Sequence, residues 1–439
     1  MPDLINETHD PKLESWVDSA NDPKTDFPIQ NLPFGIFRKK GTKQPGRPGV
    51  AIGDRIVDLQ AAIKRGLIKG KPAQALQSDT LNDFAALGQA AWSSVRRTLS
   101  RGLRKGSKSQ KDFARCLVKQ SDVEMLLPVE VHNYTDFFVS LHHTQKVSAA
   151  LNRPEPHVTP NWRWLPIAYH SRASTVIASG TPVRRPLGQY PDGGNAKPEF
   201  RRCDKLDYEL EMAFIVGPGN ARGTRIDIAD AENHIFGFAL MNDWSARDIQ
   251  FWESRPLGPF LGKSLSTTLS PWIVTLEALA PFRKNNEPRP AGDPEPLPYL
   301  TPPKSAAPQG FDITLEARIL SADARKKKLS PTVFTHTNFT RMYWSVNQML
   351  THHASNGCML VPGDVVGSGT VSGPKQEESA CLVERTLYGR DPVKLATGET
   401  RSFVEDGDDV IFTGRANARG YRSIGFGECR GVVTPAEKL

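Results

Sequence analysis

Apolar and polar residues alternate in "LDYELEMAFIVG", residues 206–217, and the run stops at the turn former "GPGN", so it reads as a β-strand. One face of that strand carries Asp207, Glu209 and Glu211. Side chains at i and i+2 share a face, so the acids crowd one another and raise each other's pKa. A solvated outer face is the ordinary account of such a stripe, and a bound metal ion is the other.

Upstream, "FGIFRKK" and "GVAIGDRIVDL" predict two short strands. Phe84, Leu87, Trp92, Val95 and Leu99 then recur at near-helical spacing behind a capping-box signal from Thr80 to Asp83, which predicts a helix. The texture changes near Leu127 and Pro128, so the expected division is a small mixed domain over 1–128 and a larger one over 129–439. The second part consists of short β-rich runs such as "HIFGFALMND", "FDITLEARIL" and "DDVIFTG" between Gly, Pro and Asp, the pattern of a barrel or roll. Eight prolines between Pro288 and Pro308 exclude a central strand or helix there and predict a surface excursion within the second domain. One helix is expected in "FTRMYWSVNQMLTHHASNG", ending at a glycine.

A chain of 439 residues with 38% hydrophobic and 24% charged content can bury substantial cores and has the make-up of a soluble globular protein. It offers no apolar run near the roughly 20 residues that span a bilayer, and "MPDLINETHDPKLESW" is not a signal peptide, so a cytoplasmic setting is expected. Five scattered cysteines without CxxC spacing suggest neither a disulfide framework nor a zinc site. The net charge of +8 is concentrated in "RRTLSRGLRKGSKSQK" (96–111) and "ARKKKLS". With no aromatic interleaving and no nucleic-acid motif, both read as solvated surface, and no nucleic-acid partner is expected.

Candidate chemistry gathers in four segments. Asp136 interrupts aromatics in "HNYTDFFVSLHHTQKV", and Asp243 ends an apolar strand before a helical turn that puts Arg247 and Gln250 on one face. Lys263 lies in the glycine-flanked loop "PLGPFLGKSLSTT", with Thr267 just after it. Singly these are a turn residue, a helix cap and a snorkelling lysine. Together, Asp136, Glu209, Glu211 and Asp243 offer only oxygen ligands, which suits a hard divalent cation that would cancel their repulsion. Asp207 falls beyond that set, and its replacement by Asn is expected to matter little.

The segments "YTDFF", "HHTQ", "PNWRWLPIAYHSRASTVIASGTPVRRPLGQ", "LDYELEMAFIVGPGN", "HIFGFALMNDWSARDIQFWE", "PLGPFLGKSLSTTLSPW", "SGTVSGP" and "GYRSIGFGEC", in that order along nearly the whole chain, resemble the fumarylacetoacetate hydrolase family of tyrosine and phenylalanine breakdown. The resemblance implies an N-terminal SH3-like barrel, a C-terminal catalytic β-roll, a homodimer, bound Ca²⁺ and Mg²⁺, and a hydrolase acting on carbon–carbon bonds of ketonic substances. By position, Asp136, Glu209, Glu211 and Asp243 match the family's calcium ligands, and Asp243, Lys263 and Thr267 its magnesium site. His143 matches the catalytic base, Glu384 the carboxylate that orients it, and Arg247, Gln250 and Lys263 the donors that stabilise negative charge. The choice of His143 over His142 and of Glu384 over Glu378 rests on the resemblance alone.

Among matched substrate contacts, Tyr169, Gln250 and Thr370 are kept. Phe138 and Ser254 replace tyrosines and Asn152 replaces an arginine, next to Arg153 and Arg255. The expected substrate is fumarylacetoacetate. The alternatives are a paralogue acting on another acylpyruvate-like diketo acid and, from another class, a basic binding protein with a relic site.

Overall fold

The structure is a computed structural model that describes residues 4–154, 158–193 and 197–439, so the first three residues of the N-terminal stretch lie outside it. The fold is mixed and β-rich: a small N-terminal domain of SH3-like barrel type precedes a larger C-terminal β-roll. The first domain is built on a five-stranded antiparallel sheet in which Phe34–Lys39 is flanked by Arg47–Ile52 and Val123–Leu126. "GVAIGDRIVDL" is not one strand, as expected, but a hairpin of Arg47–Ile52 and Arg55–Asp58, because Gly53 takes a left-handed φ of 54° between them. Asp58 then caps the following helix through the Ala61 amide.

The expected helix behind Thr80 is two helices, Asn82–Ala85 and Gln89–Leu103, interrupted at Gly88, whose φ is 80°. The residue capping the first is Leu81, without a side-chain bond, so Thr80 does not cap it. The apolar face is as the spacing requires: Phe84, Trp92, Val95 and Leu99 are buried. Arg96, read as part of a solvated basic run, is buried instead. Its guanidinium donates to the Asn31 carbonyl at 2.6 Å, the Gln30 carbonyl at 2.5 Å and Thr8 Oγ1 at 2.9 Å. The run "ARKKKLS" lies in the hairpin connection between the antiparallel strands Ile313–Leu320 and Thr332–Asn338, where Ala322–Lys326 forms one helical turn capped by Ser321.

The larger part contains an eight-stranded sheet. Its spatial order is Ala168–His170, Tyr134–Phe137, Val365–Gly367, Leu210–Val216, Ile235–Asp243, Thr267–Leu269 and Val176–Ala178, with Val274–Thr275 beside Ile235–Asp243. A five-stranded sheet runs in the order Thr332–Asn338, Ile313–Leu320, Asp409–Ala416, Ile424–Thr434 and Val183–Arg184. The central Leu210–Val216 strand is buried on both faces. Leu210, Met212, Phe214 and Val216 enter the larger core, and Ala213 and Ile215 enter a second core shared with Phe34, Phe84 and Trp92 of the N-terminal segment. Phe236 meets Trp92 there at a ring separation of 5.0 Å and Phe84 edge-on at 5.8 Å.

By the two-residue period, Glu211 continues the Ala213 and Ile215 face, so the acidic stripe is roofed by protein and the solvated-face reading fails. The proline-rich stretch makes an excursion that leaves and returns through the paired strands Arg283–Lys284 and Gly310–Phe311. It is tied down by Tyr343, whose hydroxyl donates to Asp293 at 3.0 Å and accepts from Arg289 at 3.0 Å. The expected C-terminal helix is confined to Val346–Ala354, where Ser345 and Gln348 form a capping box.

Candidate active site

Neighbouring strand ends assemble the acidic cluster. Asp136 stands in register with Gly367, and Asp243 with Thr267. One carboxylate oxygen each from Asp136, Glu209, Glu211 and Asp243 lies within 4.8 Å of the others, and all four residues are buried. Like charges about 4 to 5 Å apart repel by about 3 to 4 kcal/mol per pair at an effective dielectric near 20, far more than a surface ion pair returns. Burial and then the Asp243 carboxylate raise the Asp136 pKa well above the usual range, and burial and then Asp136 do the same to Glu211. Burial works against the charge of Glu209 too, but the Lys263 and Arg247 cations bring it down to about 2.

A divalent cation fits these residues. Asp136 Oδ1 and Glu211 Oε1 are buried oxygens without a hydrogen-bond partner. Gly367 leaves them room: a Cβ there would meet Asp136 Oδ1 and lie 3.1 Å from Glu211 Oε2. The donor set is all oxygen, which excludes preference for a soft metal. A trio of His143, Cys381 and Glu384 also lies within 4.8 Å, but His143 Nδ1 is already hydrogen-bonded to Glu384 Oε1.

Lys263, expected in a loop, sits on the one-turn helix Leu261–Ser264. Its ammonium bridges Glu209 and, at 3.0 Å, Asp243 Oδ2, and although burial opposes its charge these two acids raise its pKa. Thr267 Oγ1 donates to Asp243 Oδ1 at 3.0 Å. The Tyr169 hydroxyl, matched as a substrate contact, lies 2.9 Å from Asp136 Oδ2 and 2.8 Å from Asp243 Oδ2, and so braces the cluster.

His143 occupies the first turn of the helix Leu141–Ala150, capped by Ser140 onto the His143 amide at 3.2 Å. The segment is helical where an extended chain would have turned His142 and His143 to opposite faces. Successive helical residues still diverge by about 100°, so His142 meets Glu287 at 2.8 Å on the outside while His143 points inward. Glu384 is fully enclosed, held by Ser372 Oγ at 3.0 and 2.7 Å and by the Ala380 amide at 3.2 Å. Ser372 carries no periodic or spacing signal in the sequence.

Arg247 is positioned by Asp207, the residue set aside as a bystander. Its Nε donates to Asp207 Oδ2 at 2.9 Å, and its Nη1 to Gln250 Oε1 at 3.1 Å. Nη2 lies 2.9 Å from Asp207 Oδ2 and from Glu209 Oε1 but makes no hydrogen bond. Burial disfavours the guanidinium charge, yet Glu209 and Asp207 raise its pKa further.

Asp136, Tyr169, Glu209, Glu211, His143, Arg247 and Lys263 line one cavity of about 370 Å³, within the range of small-molecule sites, while Asp243, Thr267 and Glu384 lie behind its wall. Phe138, Gln250, Ser254 and Thr370 reach it, and the Phe138 ring meets the His143 imidazole edge-on at 5.2 Å. Asn152 does not. It is exposed with a left-handed φ of 51°, and the lining residue is its neighbour Arg153, whose pKa is lowered by burial and by Arg255.

The family model "Fumarylacetoacetate (FAA) hydrolase C-terminal" matches residues 133–434, and "Fumarylacetoacetase N-terminal" matches residues 30–128. The fumarylacetoacetase of Oryza sativa subsp. japonica is 48% identical over 433 residues, covering 97% of this chain and 98% of the rice protein. That of Homo sapiens is 46% identical over 429 residues, covering 96% and 99%. Among solved structures, a fumarylacetoacetate hydrolase from psychrophilic Exiguobacterium antarcticum aligns with a TM-score of 0.49 at 18% identity, covering 92% of this chain and 100% of that one.

Proposed function

The chain belongs to the fumarylacetoacetate hydrolase family, and from that membership we propose that it is a metal-dependent hydrolase cleaving fumarylacetoacetate with water to fumarate and acetoacetate, in tyrosine and phenylalanine breakdown. The observation that carries the reading is one cavity lined by His143, Arg247, Lys263 and three carboxylates, Asp136, Glu209 and Glu211, with Asp243 clustered behind them.

Asp136, Glu209, Glu211 and Asp243 would hold Ca²⁺, and Asp243 with Lys263 and Thr267 would border Mg²⁺. Bound cations supply Lewis-acid polarisation of the diketone oxygens. His143 acts as general base: with Nδ1 fixed by Glu384, Nε2 takes a proton from the attacking water, whose oxygen bonds to the carbonyl carbon. Arg247, ion-paired with Asp207 and Glu209 at the cavity wall, joins Gln250 and Lys263 in stabilising the alkoxide, at about 3 to 4 kcal/mol per well-placed donor. The carbon–carbon bond then breaks as the alkoxide re-forms a carbonyl, its electron pair passing to the carbon that becomes the acetoacetate methyl group, and the proton held at His143 Nε2 is available to that carbon. Thr370 and Tyr169 orient the substrate. The family's homodimer and a cytoplasmic setting are part of the same proposal. Among the described residues no helix is long and apolar enough to cross a membrane.

A second reading, hydrolysis of a related diketo acid with a less charged tail, is favoured by Phe138 and Ser254, which line the cavity in place of tyrosines. Product analysis tests the first. Fumarate and acetoacetate should appear in equal amounts as fumarylacetoacetate disappears, and a protein that forms neither is not this enzyme.

A further inference from the structure

One enclosed carboxylate takes no part in the chemistry above. Asp207 has 0% relative exposure and lies on the two-residue strand Leu206–Asp207, paired with Ser245–Ala246 just before Arg247. Its Oδ1 accepts the Leu382 amide at 2.7 Å and the Tyr208 amide at 2.8 Å. Its Oδ2 accepts the Val383 amide at 3.1 Å and Arg247 Nε at 2.9 Å. Three of those donors are joined to catalysis, from opposite sides. Arg247 is the anion-stabilising donor, and Leu382 and Val383 open the turn Leu382–Arg385 that carries Glu384, the partner of His143.

We propose that Asp207 is the positioning residue that fixes the two halves of the catalytic apparatus to each other, holding Arg247 and the Glu384 turn on one carboxylate. The inference rests on the function proposed above, in which Arg247 and Glu384 serve the reaction. Four N–H groups converge on two oxygens, so the position needs an acceptor at both atoms. An asparagine would turn an NH₂ toward either the Leu382 and Tyr208 amides or the Val383 amide and Arg247, placing donor against donor in a site without water's compensation.

The test is a kinetic cycle on the metal-loaded enzyme with fumarylacetoacetate. Misplacing catalytic groups by about 1 Å costs about a hundredfold, so Asp207→Asn should lose about that much in kcat with KM changed by less than about threefold. Combined with Arg247→Gln, the loss should fall short of the product of the two single losses, because part of the Asp207 effect is exerted through Arg247. Multiplicative losses, or wild-type kcat in Asp207→Asn, overturn the inference. Should Asp207→Asn fail to fold, Asp207→Glu, which keeps the charge but shifts it by one methylene, gives the same readout. A crystal structure of the variant adds a readout free of turnover. Displacement of the Arg247 guanidinium and the Leu382–Arg385 turn supports the inference even if the wild type proves inactive on fumarylacetoacetate, which would sink the functional reading alone. Unmoved positions overturn it.

Discussion

His143 Nε2 stands 3.9 Å from Glu209 Oε1, beyond hydrogen-bonding reach, while its Nδ1 is bonded to Glu384. The imidazole is therefore anchored at one nitrogen and presents the other to the acidic cluster, the orientation a general base requires. His143→Ala should lower kcat by about 10² to 10⁴, whereas His142→Ala, which loses only a half-exposed pair with Glu287, should stay within about threefold. Steady-state kinetics on both variants decides the matter, and equal losses count against His143.

The anchor itself is testable through Ser372, which holds both Glu384 oxygens. Ser372→Ala should cost about tenfold in kcat, the equivalent of one charge-assisted hydrogen bond at about 1.5 kcal/mol, and Glu384→Gln more. Unchanged kcat in Ser372→Ala, measured at saturating substrate, removes the serine from the account.

Raised carboxyls in the metal-free cluster set a pH dependence. Asp136 and Glu211 keep protons in the folded state that the unfolded chain releases near pH 4, so between the two pKa values the folded state binds more protons and stability falls as pH rises. A bound cation reverses that penalty. The gap in Tm between calcium-loaded and chelated protein should therefore widen from pH 5 to pH 8. A gap that narrows over this range contradicts the cluster's role.

How much of this was legible depends on what a one-dimensional pattern can encode. The spacing of Glu209 and Glu211 shows that two acids share a face, but it cannot say what covers that face. Here Glu211 meets the strand Val365–Gly367 and Asp136, which lie 156 and 75 positions away in sequence. The same limit hid Asp207, whose partners Arg247 and Leu382 are 40 and 175 positions away. His143 and Glu384 were found through family resemblance, since a lone histidine and a lone glutamate carry no spacing signal. Gly53 and Gly88 were visible as glycines, yet only their left-handed φ angles reveal the hairpin and the helix break. Arg96 looked like its basic neighbours because charge composition ignores which helix face is buried.

Arg96 supplies a stability prediction apart from catalysis. Arg96→Leu would leave the Gln30 and Asn31 carbonyls unpaired in the core, at about 1 to 3 kcal/mol each. Calorimetry should show a Tm lower by several degrees, with kcat/KM unchanged at 25 °C, and an unaltered Tm would return Arg96 to the surface.

For substrate choice, Phe138→Tyr restores a donor beside His143 and should raise kcat/KM for fumarylacetoacetate by up to about tenfold, and Arg153→Gln should lower it by a similar factor. Neither should change acetopyruvate hydrolysis by as much. If acetopyruvate is the better substrate in the unaltered enzyme, the less charged diketo acid is the true one.

The central claim is that a cation held by Asp136, Glu209, Glu211 and Asp243 makes this cavity a fumarylacetoacetate hydrolase. It is tested most directly by following the loss of fumarylacetoacetate absorbance with one preparation before chelation, after chelation verified by metal analysis, and after addition of Ca²⁺ or Mg²⁺. The account predicts turnover, its abolition and its recovery. Full activity in verified metal-free protein would contradict it.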